Sequence, residues 1–191
     1  MKVGLFFGSF NPVHIGHLAI ANYFAEFSDL DQIWLVVSPQ SPFKKKKTLL
    51  PEYQRYHMVE LALGDDLQIR PSNIEFLLPK PSYTIDTLTY LSEKHPSNQF
   101  SLIMGSDNLV HFHKWKNYRE LMAHHELYVY PRPGNDPNPF QDRYDFHLVD
   151  APLIEISSSM IRLSIQQGKN MRYFLPVKVF KYIQEMHFYE K

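Results

Sequence analysis

The chain has 191 residues, of which 44% are hydrophobic and 21% charged, a composition typical of one globular domain. Because 20 basic residues balance 20 acidic ones, no overall positive field favours a long nucleic acid as the partner. The absence of cysteine excludes disulfides, thiol nucleophiles and cysteine-ligated zinc. The apolar run at residues 3–7 is too short for a signal peptide, and no run is long enough to span a membrane. We therefore expect a cytoplasmic protein that binds neither membranes nor nucleic acid.

The predicted elements alternate between strands and helices along the chain. Short apolar runs predict strands at residues 3–7, 33–37, 67–70, 74–76, 100–104, 127–130 and 146–149. Helical periodicity and end signals predict helices at residues 17–27, 51–63, 84–95, 117–124, 157–167 and 176–186. Such alternation requires crossover connections, so we predict an α/β fold: a doubly wound, mostly parallel Rossmann-like sheet with helices on both faces. We expect residues 1–191 to form a single domain, with residues 157–191 as its C-terminal helical part.

The strongest functional signal is Gly-Ser-Phe-Asn-Pro-Val-His-Ile-Gly-His at residues 8–17, between the first strand and the first helix. Gly8 allows the backbone to turn tightly and to approach a ligand. The helix that follows directs free N–H groups at this loop, which suits an anion. His14 and His17 are three residues apart, so both can face one side of the helix start and donate hydrogen bonds to phosphate oxygens.

A second signal is Ile-Ser-Ser-Ser-Met-Ile-Arg at residues 156–162. Ser157 or Ser158 can cap a helix, and the hydroxyl and N–H groups at such a helix start suit phosphate. Arg162 lies one turn further along and can reach the same anion.

The first string resembles the (H/T)xGH signature of the nucleotidyltransferase superfamily, and the second resembles a further motif of that superfamily. The extended first motif is most similar to the nicotinate (nicotinamide) mononucleotide adenylyltransferases. The resemblance implies that His14, His17 and Arg162 are catalytic. It also implies that the ATP and its phosphates contact Gly8, Ser9, Phe10, Ile156, Ser157, Ser158 and Ser159.

Three further segments extend the resemblance on the ATP side. Residues 38–47 include four consecutive lysines, of which Lys44 or Lys45 is the phosphate contact that the family pattern implies. Gly105 and Asp107 follow a predicted strand, where a carboxylate can bind ribose hydroxyls. Arg132, in a Pro-Arg-Pro-Gly turn, matches a family element near the nucleotide.

The remaining motifs concern the second substrate. Tyr83 and Thr84 precede a predicted helix in a Tyr-Thr-Ile-Asp-Thr-Leu string that resembles the family's nicotinate pocket. Trp115 can stack on a flat ring, and the family places a tryptophan against the pyridine. Tyr118 follows it, and we assign Tyr118 to the same pocket. The histidine pairs at residues 111/113 and 124/125 have no acidic or cysteine neighbour at ligand spacing, so we expect no metal site there.

The resemblance implies transfer of AMP from ATP to nicotinate mononucleotide, with Mg²⁺ entering together with ATP. Three alternatives remain open at this level. The acceptor can be nicotinamide mononucleotide, or another phosphate as in pantetheine-phosphate adenylyltransferases and cytidylyltransferases, or the chain can be a non-catalytic ATP-binding regulatory module. The sequence leaves the oligomeric state open, a homo-oligomer included.

Overall fold

The computed structural model describes residues 1–39 and 49–190, and its centre is a six-stranded sheet. The strands are β1 Lys2–Gly8, β2 Gln32–Val37, β3 Ile69–Ser72, β4 Gln99–Gly105, β5 Leu127–Tyr130 and β6 His147–Leu148. Their order is β3-β2-β1-β4-β5-β6, and every neighbouring pair is parallel. The chain thus begins in the middle of the sheet and reverses its direction of winding between β1 and β4. The predicted doubly wound parallel sheet is confirmed.

Within residues 1–39 and 49–190, six α-helices cover the sheet: α1 Ile15–Phe27, α2 Glu52–Leu63, α3 Thr84–Lys94, α4 Tyr118–His124, α5 Ser158–Gln166 and α6 Val177–Glu185. The 3-10 helices of this part of the chain are Ile74–Leu77, Ser106–Lys114, Asn138–Phe140 and Arg172–Phe174.

Alternate side chains of the central strands enter two separate cores, as the pleat of a sheet requires. In β1, Phe6 packs into the core that α1, α2, α5 and α6 complete, whereas Leu5 packs into the core of α3 and α4. The helices therefore lie on both faces, as predicted. The extent of the domain and of its C-terminal part stays a prediction.

The predicted strand at residues 74–76 is wrong, because these residues form the 3-10 helix Ile74–Leu77. The apolar pattern correctly indicated burial, since Ile74 is 7% exposed. The strand that precedes this segment, however, pairs with β2 only as far as Ser72, opposite Val36. With β2 ending one residue later, residues 74–76 have no strand to pair with.

The strand predicted at residues 67–70 begins later, at Ile69, because the Asp66 carboxylate binds the N–H groups of Gln68 and Ile69 in a turn. Pro71 is tolerated within β3 because this strand lies at the edge of the sheet. Helix α1 begins at Ile15, two residues earlier than predicted, with His14 as its N-cap. In the described part of the chain, no helix is long and apolar enough to cross a membrane.

Candidate active site

Two adjoining clefts open where the winding of the sheet reverses, at the carboxyl ends of β1 and β4. The first, the histidine cleft, measures about 320 Å³, and its lining includes Gly8, Ser9, Asn11, His14, His17, Asp107, Asn108, Arg132, Ile156, Ser157, Ser158, Ser159 and Arg162. The second, the tryptophan cleft, measures about 540 Å³, and its lining includes Gly8, Ser9, Ser38, Glu75, Ser82, Tyr83, Thr84, Asp107, Asn108, Trp115 and Lys116. Gly8, Ser9, Asp107 and Asn108 line both clefts. Two ligands bound in the two clefts would therefore lie next to each other at this shared wall.

The two histidines form a stacked pair at the start of α1. Their ring centroids lie 3.7 Å apart, with 27° between the planes. The backbone N–H of His14 donates to Nδ1 of His17 at 3.3 Å. In neutral His17 the proton therefore resides on Nε2, which makes that nitrogen the donor of the ring.

Burial keeps His14 neutral. Its side chain is 4% exposed, and desolvation, with a smaller contribution from the Arg132 charge, lowers the pKa of His14 to about 4. Gly16 leaves room for the ring, since a Cβ there would lie 3.1 Å from Nδ1 of His14. At neutral pH His14 is therefore a hydrogen-bonding group and carries no charge.

The second motif is joined to the first by direct hydrogen bonds. Arg162 Nη1 donates to the carbonyl of Asn11 at 2.7 Å, and Ser158 Oγ donates to the carbonyl of Pro12 at 2.9 Å. Ser157 is the N-cap of α5, where its hydroxyl accepts from the N–H of Met160. The predicted helix start thus lies against the loop of the first motif.

Two predicted ligand residues act from behind the wall of the histidine cleft. Phe10 is 1% exposed and has a φ of 42°, and its ring packs 5.0 Å from the ring of His17. A Cβ on Gly8 would lie 2.7 Å from this ring, so Gly8 and Phe10 fit only as a pair. Gly105 is likewise buried, and a Cβ there would lie 2.5 Å from Oδ1 of Asp107. The Phe10 side chain and the missing Gly105 Cβ thus shape the packing of these loops, and contact of the two residues with ATP stays a prediction.

The acidic and basic groups at the shared wall lie close together. Arg132 Nε lies 4.0 Å from Oδ1 of Asp107, whose side chain is 47% exposed. Ser106 holds the Arg132 turn in place, accepting from its N–H at 2.9 Å and donating to the carbonyl of Asn135 at 2.6 Å.

The tryptophan cleft contains three of the four predicted nicotinate residues: Tyr83, Thr84 and Trp115. Tyr83 is the N-cap of α3 but makes no side-chain capping bond, so the first N–H groups of this helix are not used by a cap side chain. Lys116 lies over the Tyr83 ring at 4.8 Å and pairs with the Asp86 carboxylate at 2.8 Å.

Tyr118 departs from the prediction. It does not contribute to the lining of the tryptophan cleft, and its ring packs against Phe112 at 5.9 Å and Tyr144 at 6.4 Å. Its place is behind Trp115, which contacts the same Phe112 ring at 5.4 Å. Lys44 and Lys45 lie outside the described residues.

Sequence reasoning missed Arg55, the largest fully buried side chain of the described residues. Its guanidinium donates to the carbonyls of Ser9 at 2.6 Å, Ser38 at 2.8 Å, Leu50 at 2.9 Å and Pro39 at 3.0 Å. Burial lowers its pKa. A signal was present, because Arg55 occupies the same helical face as the buried Met58 and Val59, where a surface arginine is out of place.

Glu75 and Asn108 were missed as well. Asn108 lines both clefts, and Glu75 lies at the base of the tryptophan cleft. Glu75 had been assigned to a strand, and a short polar string such as Asp-Asn after a strand gives no separate signal for Asn108.

We predict that stability depends on pH through His14. Its folded pKa of about 4 lies below the usual 6.5, so stability is complete above pH 6.5 and is lost as the pH falls toward 4. At pH 4.5 the loss amounts to roughly 2.5 kcal/mol, since one pKa unit corresponds to about 1.4 kcal/mol. Urea unfolding at pH 7.5 and 4.5 measures it. Relative to the parent protein, His14→Gln should lose about 2.5 kcal/mol less between these pH values. Equal losses in both proteins would contradict the assignment.

The comparisons with known proteins agree on one family. The cytidylyltransferase-like family model matches residues 5–164. Proteins of Flavobacterium johnsoniae and Flavobacterium psychrophilum, each described as "Probable nicotinate-nucleotide adenylyltransferase", are both 54% identical over 193 residues and cover 100% of both chains. The nicotinic acid mononucleotide adenylyltransferase of Plasmodium falciparum, solved in complex with NaAD, shares the fold with a TM-score of 0.83 at 19% identity, covering 98% of this chain and 97% of its own. The chain therefore belongs to the cytidylyltransferase-like family and, within it, to the nicotinate-nucleotide adenylyltransferases.

Proposed function

We propose that this protein transfers the AMP part of ATP to nicotinate mononucleotide, giving deamido-NAD and pyrophosphate. The observation that carries the proposal is the pair of clefts with a common wall at Gly8, Ser9, Asp107 and Asn108. One cleft offers polar and cationic groups suited to phosphates, and the other offers an aromatic ring. A nucleoside triphosphate and a flat heteroaromatic nucleotide can thus meet with their phosphates together. This is a nucleotidyl transfer reaction of NAD biosynthesis.

The mononucleotide phosphate attacks the α-phosphorus of ATP in line with the departing pyrophosphate. Catalysis then consists of positioning and of stabilising the charge that develops on the phosphate oxygens. His14 and His17 donate at the α-phosphate, and Arg162 binds the triphosphate. Arg162 is already directed by its bond to the carbonyl of Asn11, so little ordering is needed when ATP binds.

The other groups of the histidine cleft hold the rest of ATP. We assign the helix start at Ser157, Ser158 and Ser159, together with Ile156, to the nucleotide and its phosphates. Arg132 serves the same ligand, and Lys44 or Lys45 serves the triphosphate. Asp107 binds ribose hydroxyls at the shared wall. Gly8 and Ser9 approach the phosphates with their backbone, while Phe10 and Gly105 shape the loops that do so.

Mg²⁺ enters with the triphosphate. Among the described residues that line the histidine cleft, Asp107 provides the carboxylate, and no group of three or more acidic, histidine or cysteine side chains in this part of the chain could hold a metal. This donor set suits Mg²⁺, which retains several waters and binds mainly to substrate phosphates. When bound, the ion would neutralise charge on the transferring and leaving phosphates.

The tryptophan cleft favours an acid over an amide. Tyr83 and Thr84, at the start of α3, line this cleft without a side-chain capping bond, and a helix N-terminus stabilises a carboxylate more than a neutral carboxamide. Trp115 lies on the wall where the pyridine ring stacks, with Tyr83 and Thr84 beside it. Since both substrates are intracellular metabolites, we propose a cytoplasmic location.

The first prediction compares the two mononucleotides. With ATP and Mg²⁺, kcat/KM for nicotinate mononucleotide should exceed that for nicotinamide mononucleotide about a hundredfold, equivalent to about 2.7 kcal/mol. Pyrophosphate release measures both. Comparable values would retain the reaction and contradict the acid preference, and no pyrophosphate with either substrate would contradict the proposed function.

The second prediction concerns His17. His17→Ala should lower kcat/KM by roughly a hundredfold to a thousandfold, the usual effect of removing one donor to a developing negative charge. Circular dichroism should remain unchanged. His57→Gln is the matched control, because His57 is exposed on α2 and lies outside the lining of both clefts. A His17 variant as active as the control would refute the role.

The third prediction concerns Trp115. Trp115→Ala should raise the KM for the mononucleotide about tenfold or more, because base stacking on an aromatic side chain is worth roughly 1–3 kcal/mol, and it should change the KM for ATP little. Trp34→Phe, at a half-buried tryptophan of β2 outside both clefts, controls for the loss of a tryptophan. Equal effects on the two substrates would disprove the stacking role.

A further inference from the structure

A buried carboxylate that the reaction does not use lies at the base of the tryptophan cleft. Glu75 is 2% exposed and sits in the 3-10 helix that follows β3. Its oxygens accept from Ser82 Oγ at 3.0 Å and from Thr87 Oγ1 at 3.0 Å, and the Ser38 hydroxyl bonds to it as well. The three hydroxyls belong to three segments: the end of β2, the stretch before α3, and the beginning of α3.

Glu75 has hydroxyl partners where a buried charge usually has a cation. None of the ion pairs formed by residues 1–39 and 49–190 includes it. Burial raises its pKa, and the hydrogen bonds from Ser38, Thr87 and Ser82 oppose that rise. A buried carboxylate is costly unless its lone pairs are satisfied, so the three hydroxyls are held firmly toward it.

The segment that Glu75 holds is the wall facing the pyridine ring. Ser82, Tyr83 and Thr84 line the tryptophan cleft in sequence. Most helix starts are fixed by a capping Ser, Thr, Asp or Asn, but Tyr83 makes no such bond. Instead, Glu75 fixes this helix start through two hydrogen bonds. It accepts one from Ser82, the residue before the N-cap, and one from Thr87 in the first turn of α3.

We propose that Glu75 is a positioning residue for the mononucleotide, which sets the place of the α3 N-terminus relative to the pyridine ring. Ser38 extends this role to the phosphate side, because its carbonyl accepts from Arg55, the same guanidinium that binds the carbonyl of Ser9. A continuous buried path thus joins the wall at residues 82–84 to the loop at residues 8–14, here called the phosphate loop. This inference rests on the proposed function, since it names the residue that aligns the second substrate of that reaction.

Glu75→Gln tests the proposal with almost no change in shape. The amide nitrogen donates and cannot accept, so at least one hydroxyl loses its acceptor and the wall shifts. The KM for nicotinate mononucleotide should rise about tenfold, with the KM for ATP changed less than about twofold. Calorimetric binding of nicotinate mononucleotide should weaken by the same factor, and this measurement does not require turnover.

Thr87→Val provides an independent arm. Thr87 is fully buried and does not line either cleft, so it can influence the substrate only through its neighbours. Thr87→Val should also raise the KM for the mononucleotide. The variant that combines Glu75→Gln and Thr87→Val should raise this KM by less than the two separate effects added as free energies, because both changes remove the same contact. Val179→Ala, in α6 and fully buried in the other core, controls for general destabilisation.

The outcomes distinguish failure of the positioning role of Glu75 from failure of the proposed function. If the parent protein turns over and Glu75→Gln leaves the mononucleotide KM unchanged, the positioning role is overturned and the proposed function stands. If the KM values for both substrates rise together, as in a merely destabilised protein such as Val179→Ala, the role is overturned too. If the parent protein neither binds nor uses nicotinate mononucleotide, the proposed function fails, and the role for Glu75 fails with it.

Discussion

The active site depends on one buried cation. The Arg55 guanidinium exchanges its hydrogen bonds to water for hydrogen bonds to four carbonyls, and this set of bonds offsets the desolvation cost of burying the charge. Its acceptors belong to the loop after β1, the loop after β2 and the residues that lead into α2, which a parallel sheet brings to one edge. The phosphate loop is therefore anchored to its neighbours from behind, which leaves its front free for a ligand. Geometry that is fixed before substrate arrives is what a reaction without a covalent intermediate requires.

The same loop is anchored on its other side by the end of the chain. Arg162, Ser158 and Tyr189 all bond to Asn11 or Pro12, across more than 140 residues of sequence in each case. The Tyr189 hydroxyl donates to Oδ1 of Asn11 at 2.8 Å, and burial raises its pKa. The histidine cleft consequently forms only when the first strand and the last helices fold together. Binding of ATP and stability of the C-terminal helices should be linked through this contact, since both act on the same loop.

The sequence predicted the sheet and the helices on both faces, and most of the site residues that it singled out line one of the two clefts, because these features depend on periodicity and on short motifs at strand ends. It failed where a residue's role depends on distant partners. Arg55 and Glu75 appear in sequence as ordinary charged residues of a helix and a loop, and only the fold shows the carbonyls and hydroxyls that satisfy them. The 3-10 helix Ser106–Lys114 was missed because its apolar residues do not recur at the α-helical period. Phe10, Gly105 and Tyr118 lie beside the clefts without lining them, and their contact with a ligand stays a prediction.

The distribution of charge in the site fits a reaction that must release pyrophosphate as well as bind a triphosphate. Stacked at 3.7 Å, two imidazolium rings would repel each other, and burial avoids this by lowering the pKa of His14 to about 4. In the proposed reaction, His14 would contribute a hydrogen bond whose strength grows as charge develops on the phosphate, without a fixed charge that would bind product as tightly as the transition state. Permanent positive charge is left to Arg162 and Arg132, which are held to the loop and turn by Asn11 and Ser106. In the proposed reaction, separating the neutral His14 donor from the fixed cations would let the site favour the transition state over both of its anionic ground states.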